Sequence, residues 1–375
     1  MKSQAPQVSI VLPTYNRRRT LLRAVHSVIA QTFQDWELIV VDDGSTDGSA
    51  DLLDGLDPRV QCLRRANAGA AAARNAGLAV AAGRYLSFLD SDDEWLPHFL
   101  ALTVGFLERH PDQGYVSTES FDMKPDGRCV RQDVDALDGH YVWLARRLQS
   151  HDLDLPEGST DPYLRVYQRC QPLGEWAHAH APEQLREEPW LRWYQGDIAE
   201  KYRWGYFHAL WCIVARRELV AAAGPFAEGR RSCNDLEFLI ELARRAPSNM
   251  IAVPSVRKNL VAADAGAAQL SRGRSYADFT RNFAQVIHQC FLSRDPHNAE
   301  LQRIYAFRRL EAAKAALSNG LRTEAREHLR VAGATLNWPS LWILRAMAWC
   351  APTDTLARAG YALYNQLESR FPALV

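Results

Sequence analysis

Neither sign of charge dominates this chain of 375 residues, since 44 Lys and Arg stand against 44 Asp and Glu. With no surplus of cations to displace counterions from a phosphate backbone, nucleic acid is not an expected partner. Long apolar runs are also missing. The N-terminal run, residues 8–12, reads VSIVL, and the most apolar C-terminal stretch, residues 341–350, is interrupted by Arg345. Both fall short of the roughly 20 residues of a membrane span, and the first is too short for a signal sequence. The seven cysteines (Cys62, Cys129, Cys170, Cys212, Cys233, Cys290 and Cys350) are scattered and never form C-x-x-C. That spacing argues against a disulfide framework or a zinc knuckle and predicts isolated thiols in a reducing, cytoplasmic setting. A P-loop, G-x-G-x-x-G and H-E-x-x-H are absent. At 47% hydrophobic and 23% charged, the composition excludes disorder and low-complexity architecture, and the length favours two domains.

What is present is an alternation of buried strands and helices. Residues 8–12, 37–41, 60–63 and 85–89 are β-branched or apolar runs of strand length, and each is followed by polar turn residues. Leu21, Leu22, Val25, Val28 and Ile29 recur at helical spacing, and the alanine-rich stretch 69–82 reads as a helix packed closely on a sheet. This order predicts a parallel α/β sheet, in which ligands bind beyond the carboxyl ends of the strands. The clusters Thr14–Asn16, Asp42–Ser45 and Asp90–Asp93 all fall at that edge. Further on, residues 120–205 read as irregular, with Trp176, Trp190, Trp193, Trp204 and Trp211 close together. A strand is expected at 207–214, a helix at 216–223, an amphipathic helix at 235–245 and a strand at 250–253. From about 275 the pattern is helical, with a pair at 306–319 and 322–333 separated by Gly320.

Two carboxylate clusters carry the chemistry. In Asp90-Ser91-Asp92-Asp93, three acids at the end of a buried strand repel one another. A divalent cation bridging to phosphate oxygens would relieve that repulsion. The competing reading is a helix N-cap ahead of Glu94-Trp95-Leu96-Pro97. Asp42-Asp43-Gly44-Ser45 is either a plain D-G turn or a carboxylate accepting from a nucleobase, with Tyr15 supplying an aromatic face.

The ordered series VSIVLPTYN, SVIAQTFQDWELIVVDDGSTDGS and NAGAAAARNAGLAVAAGRYLSFLDSDD strongly resembles the family 2 glycosyltransferases, which have the GT-A nucleotide-sugar-binding fold. The resemblance runs over residues 7–110 and resumes at about 212–245, in VARRELVAAAGPFAEGRRSCNDLEF. It implies an α/β fold of GT-A type, with a mainly parallel sheet flanked by helices and an α-helical C-terminal extension. By resemblance, Pro13, Thr14 and Tyr15 border the nucleoside, and Asp42 and Asp43 order and read the base. Arg74 and Asn75 line the nucleotide pocket, Asp90, Asp92 and Asp93 are the D-x-D region, and Asp90, Ser91 and Asp92 contact the nucleotide sugar. Asp92 and Asp93 hold Mn2+ or Mg2+, and Asp235 takes the position of the catalytic base. The chain departs from the pattern just before that base, where Asn234 replaces the usual acid. This bears on the base's pKa and on acceptor preference.

The resemblance further implies inverting transfer of one sugar from a nucleotide-diphosphate sugar, with UDP the expected nucleotide, to a glycan or lipid-linked hydroxyl. A processive synthase is disfavoured, because no Q-x-x-R-W motif follows Asp235. The position after the first strand holds Pro13-Thr14-Tyr15-Asn16 rather than a glycine-rich phosphate loop, which disfavours a nucleotidyltransferase. The alternative is a catalytically silent GT-A domain used for binding or scaffolding. The clustered tryptophans either pack the core and lid or present faces to an acceptor. The expected layout is a catalytic domain over 1–255, with a nucleotide-sugar half at 7–110 and an acceptor-side half at 111–255, then a helical region over 256–375. Net neutrality hides an asymmetry: residues 1–255 hold 28 basic and 35 acidic side chains, and residues 256–375 hold 16 and 9. The basic tail, with Trp338, Trp342 and Trp349, either touches anionic lipid as a peripheral contact or docks on the acidic part of its own chain.

Overall fold

The computed structural model describes residues 5–123, 129–131, 140–180, 191–230, 232–259, 274–336, 338–351 and 353–370. The chain forms two compact units: Met1–Gly229 with Asn234–Ala265, and Arg230–Cys233 with Gly266–Val375.

The first unit is built on one sheet. β1 (Val8–Thr14), α1 (Leu21–Ile29), β2 (Trp36–Asp42), β3 (Val60–Arg64), α2 (Ala70–Val80) and β4 (Tyr85–Phe88) follow the predicted alternation. β1 pairs in parallel with β2 and β4, and β2 with β3, in the order β3-β2-β1-β4. β1 is buried along its whole length, so it reads as a continuous apolar run rather than an alternating one. α2 approaches the sheet closely because its inward face is Ala71, Ala72, Ala73 and Gly77. A Cβ on Gly77 would lie 2.5 Å from Val11 Cγ1 and 3.2 Å from Val41 Cγ2.

The rest of the sheet is mixed. After β5 (Glu94–Trp95) and α3 (Phe99–Arg109) come β6 (Tyr115–Met123), β7 (Cys129–Arg131), α4 (His140–Arg147), β8 (Arg169–Pro172), α5 (Glu175–His180) and β9 (Arg192–Gly196). β10 (Ile213–Arg216), α6 (Arg217–Ala223), α7 (Asn234–Ala243) and β11 (Ser248–Asn259) complete the unit. β10 lies antiparallel between β4 and β6, and β11 runs parallel to β6. The strand expected at 207–214 is displaced. Residues Leu210–Cys212 form a helical turn, and the strand starts at Ile213. An apolar run alone does not distinguish the two, and here Trp95 Nε1 donates to the Trp211 carbonyl at 2.8 Å, on the turn rather than on a ladder. β11 is longer than the predicted 250–253, because its register shifts around Pro254, which has no N–H to offer the ladder.

The segment expected to be irregular is packed. Trp204 and Trp193 are buried, so they serve as core rather than as faces for a sugar. Trp190 lies outside the described residues. Asp152 accepts from Lys201 Nζ (2.8 Å), Arg203 Nη2 (3.0 Å) and Trp204 Nε1 (2.7 Å), so one carboxylate holds the helical turn Ala199–Arg203. His208 shares hydrogen bonds with Tyr202 Oη through Nδ1 (3.0 Å) and with Tyr167 Oη through Nε2. Burial holds this histidine neutral, with its pKa pushed down to about 3.

The second unit is helical, as expected: α8 (Arg274–Ile287), α9 (Ala299–Ser318), α10 (Arg322–Ala332), α11 (Pro339–Cys350) and α12 (Asp354–Arg370). α9 starts earlier than periodicity indicated, because Asn298 caps it by accepting from Leu301 N at 3.0 Å. Overpacking at the α2–β1 contact should be costly. Gly77→Val is expected to destabilise the protein by about 1–3 kcal/mol in a denaturant melt.

Candidate active site

The carboxyl ends of β1, β2 and β4 supply three polar turns. Pro13 and Thr14 end β1 opposite Val41 and Asp42. Thr14 Oγ1 is buried with no hydrogen-bond partner among the described residues, which is the condition of a group awaiting a polar ligand. The adjacent Tyr15 ring is 49% exposed. Asn16 takes a left-handed φ of 51° and its Oδ1 accepts from Thr46 N at 2.8 Å, fastening the first turn to the second.

In the second turn, Asp42 Oδ1 accepts from Ser45 N at 3.0 Å. Asp43 is buried and accepts from Ala68 N (3.1 Å) and Gly69 N (2.7 Å), with Arg65 Nε at 3.3 Å. Its carboxylate therefore anchors the β2 turn to the start of α2, where unpaired N–H groups and the helix dipole favour an anion. Arg74 and Asn75 on α2 also have structural tasks. Asn75 Nδ2 donates to the Phe226 carbonyl (3.0 Å) and to Glu228 Oε1 (2.9 Å), while Asn75 Oδ1 accepts from Phe226 N at 2.9 Å.

The third turn, Asp90–Asp93, does not cap a helix. Glu94 and Trp95 pair with Arg257 and Val256 of β11, and the next helix begins only at Phe99. The acids are therefore free of capping duty at the strand end. Ser91 and Asp93 are buried, and Asp93 N donates to the Asp90 carbonyl at 3.1 Å. Burial, then the charge of Asp90, push the Asp92 carboxyl above its ordinary value, while Arg17 at 3.5 Å pulls the other way. This repulsion between Asp90 and Asp92 is the chemistry a divalent cation relieves. Among the described residues no three His, Cys, Asp or Glu side chains converge into a complete metal cage. The donor set fits a Mg2+- or Mn2+-type ion, which uses one or two carboxylates and completes its shell with substrate phosphates.

Arg74 joins this turn to α7. Its side chain is 8% exposed, and it donates from Nη2 to Asp90 Oδ1 (2.8 Å) and from Nη1 to Asn234 Oδ1 (2.9 Å). Asn234 opens α7, directly after Cys233, which holds a left-handed φ of 59°. Strain of this kind in a non-glycine residue persists only where the surroundings enforce it. Asp235 follows and accepts from Tyr206 Oη at 3.1 Å; Tyr206 N in turn donates to Tyr141 Oη at 3.2 Å. Burial raises the Asp235 pKa and Asp90 adds to the rise, while Arg74 and the Tyr206 hydroxyl oppose it. Arg17 and Tyr206 carry no motif signal: Arg17 lies in an ordinary loop run, and Tyr206 follows a segment without periodicity.

Removing the guanidinium should strand its partners. Arg74→Met leaves the Asp90 carboxylate and the Asn234 amide without their shared donor, and is expected to cost about 1.5–3 kcal/mol in a thermal or urea melt. A melt indistinguishable from wild type would mean the bridge carries no stability.

Residues 9–151 match the family model described as Glycosyl transferase family 2. Over 111 residues the chain is 46% identical to a putative teichuronic acid biosynthesis glycosyltransferase, TuaG, of Bacillus subtilis, a match covering 28% of this chain and 44% of that protein. Over 102 residues it is 41% identical to the UDP-Glc:alpha-D-GlcNAc-diphosphoundecaprenol beta-1,3-glucosyltransferase WfgD of Escherichia coli, covering 27% of this chain and 40% of that protein. The chain thus spans less than half the length of these curated relatives. The crystal structure of S. aureus TarS 1–349 in complex with UDP-GlcNAc superposes with a TM-score of 0.54 at 17% identity, covering 96% of this chain and 92% of that one, which is a likeness of fold. The matched stretch, residues 9–151, contains the three strand-end turns and the acid pair, and it is a family 2 glycosyltransferase domain.

Proposed function

We propose that this protein transfers a single sugar, with inversion, from a nucleotide-diphosphate sugar to a hydroxyl of a glycan or lipid-linked acceptor during assembly of a cell-envelope polysaccharide. The observation that carries the reading is the Arg74 bridge, which couples the Asp90 turn, on the donor-phosphate side, to the Asn234-Asp235 helix start on the acceptor side. WfgD, by its name, uses UDP-Glc and a diphosphoundecaprenol-linked sugar, and TuaG belongs to teichuronic acid biosynthesis. The first supports a UDP-linked donor, and both support an acceptor of the cell envelope.

In this reading Pro13, Thr14 and Tyr15 border the nucleoside, and the Thr14 hydroxyl gains the partner it lacks. Asp42 and Asp43 hold the base-side turn in shape. Asp90, Ser91 and Asp92 face the diphosphate, and Asp92, with Asp93 behind it, would hold Mn2+ or Mg2+. The cation supplies charge neutralisation for the leaving diphosphate. Asp235 accepts the proton of the acceptor hydroxyl as that oxygen bonds to C1 of the sugar, while the bond from C1 to the phosphate oxygen breaks and its electron pair leaves with the nucleoside diphosphate. The raised pKa of Asp235 makes it a stronger base than an exposed aspartate. The hydrogen bond from the Tyr206 hydroxyl to Oδ1 helps aim the carboxylate.

Asp235→Asn should bind nucleotide sugars in a thermal-shift panel with Mn2+ as wild type does, while transfer falls by about a hundredfold or more. Surviving transfer removes Asp235 from the base role, and a wild-type protein that binds donor but never transfers or hydrolyses it is the silent domain. Chelation should abolish transfer, and added Mn2+ or Mg2+ should restore it. In a pH–rate profile the acid limb is expected above the ordinary aspartate value of 3.8, because the ionised form is required and its pKa is raised. The same shift affects stability. A carboxyl with a higher pKa in the fold supports the fold fully below 3.8 and loses that support as pH rises through its folded value. Asp235→Asn should therefore melt higher than wild type at neutral pH and gain nothing below about pH 3.8.

A further inference from the structure

The second unit carries a surface that the transfer reaction does not use. α11 contains 12 residues, PSLWILRAMAWC, with Arg345 its single charge. Its inner face, Leu341, Leu344 and Ala348, is buried. Its outer face is nearly as apolar: Trp342 is 69% exposed, Ile343 44% and Trp349 47%. A helix apolar on both faces belongs either inside a core or inside a bilayer. α11 spans about 18 Å, against about 30 Å for a bilayer core, and among the described residues no helix is long and apolar enough to cross a membrane. The remaining arrangement is a helix lying on a membrane, inner face on the protein and outer face in the headgroup layer.

The charges beside this face select the kind of surface. Trp342, Ala346, Trp349 and Cys350 line a groove of about 410 Å³ together with Arg330 and Arg345. Arg322, Arg326 and Arg330 recur every four residues along one side of α10. The first two are used at the end of α11: Arg322 Nη1 donates to the Ala351 carbonyl, and Arg326 Nε to the Ala348 carbonyl at 2.7 Å. Arg330 and Arg345 have no carboxylate within salt-bridge distance among the described residues. The nearby acids are engaged, Glu324 by Arg281 and Glu327 by Arg309. Arg345 lies against Gly333, where any Cβ would displace it, with its guanidinium 6.0 Å from the Trp342 ring. Two exposed indoles flanked by two uncompensated guanidinium groups, with no acid on the helix, complement an anionic lipid surface. Indoles prefer the headgroup boundary, and each arginine gains from the negative surface potential.

We propose that the α11 face, through Trp342, Ile343 and Trp349 with Arg330 and Arg345, is a peripheral docking site for anionic membrane lipid. It stands on these residues alone and does not depend on the role given to Asp235. The test is co-sedimentation of the full chain with phosphatidylglycerol-containing vesicles and with phosphatidylcholine vesicles. Binding is expected to the former, weakened by salt, and reduced about tenfold or more both by Trp342→Ala with Trp349→Ala and by Arg330→Glu with Arg345→Glu. Melting curves and nucleotide-sugar binding confirm that each variant is folded, and the arginine pair decides the matter if the tryptophan pair does not fold. No binding to the anionic vesicles, or binding that folded variants leave unchanged, overturns the proposal. So does a concentration-dependent dimer in sedimentation velocity that the tryptophan variant dissolves while vesicles are not bound, since the face is then a contact between copies of the chain.

Discussion

One buried cation organises the first unit. Arg74 stands on α2, and only 8% of its side chain meets solvent. A guanidinium has no neutral form to retreat to, so burying it is tolerable only where acceptors surround it. It finds them in Asp90, at the end of β4, and Asn234, at the start of α7. Residues 16 and 160 positions away in sequence are thereby held in one frame. Both acceptors are placed by other elements, so the bridge forms only when the parallel half-sheet, α2 and α7 are all in position.

The same bridge gives meaning to the substitution at 234. An acid there would take half of the guanidinium charge in an ion pair. A neutral amide accepts the hydrogen bond and leaves that charge to act on Asp90 and Asp235. Arg74 is accordingly the largest influence opposing the burial that raises the Asp235 pKa, and Asp90 works with burial. Asp235 sits between a cation that favours its ionised form and an anion that opposes it, and Tyr206 adds one hydrogen bond to the ionised side. Small changes in this balance alter proton affinity without moving the backbone.

Several motif residues turn out to shape the site as well as border it. Asp43 has spent its buried carboxylate on the N–H groups that begin α2, and Asn75 has spent both ends of its amide on Phe226. The family resemblance implies binding roles for them, yet their bonds are those of fasteners that keep the turns in register. The acid turn at Asp90 shows the converse. Its spacing before an apolar run suits a cap, and the structure removes that duty by pairing Glu94 and Trp95 with β11. None of the three carboxylates is spent on a helix start.

The sequence by itself determined the strand–helix alternation over residues 8–88, the carboxyl-edge location of the three turns, the helical tail and the identity of the acid pair. These follow from local properties: hydrophobic period, turn chemistry and side-chain type are written residue by residue. It did not determine that the strand expected at 207–214 would begin at Ile213, that Trp193 and Trp204 would be core, or that Arg17 and Tyr206 would face Asp92 and Asp235. An apolar run has the same composition in a turn, a strand or a core, and only its neighbours distinguish them. Long-range partners leave no periodic trace, because a hydrogen bond between Arg74 and Asn234 depends on where the sheet puts two chain segments. Tertiary structure decided which partner each acid meets, since burial and proximity, rather than residue type, set the cost of a charge.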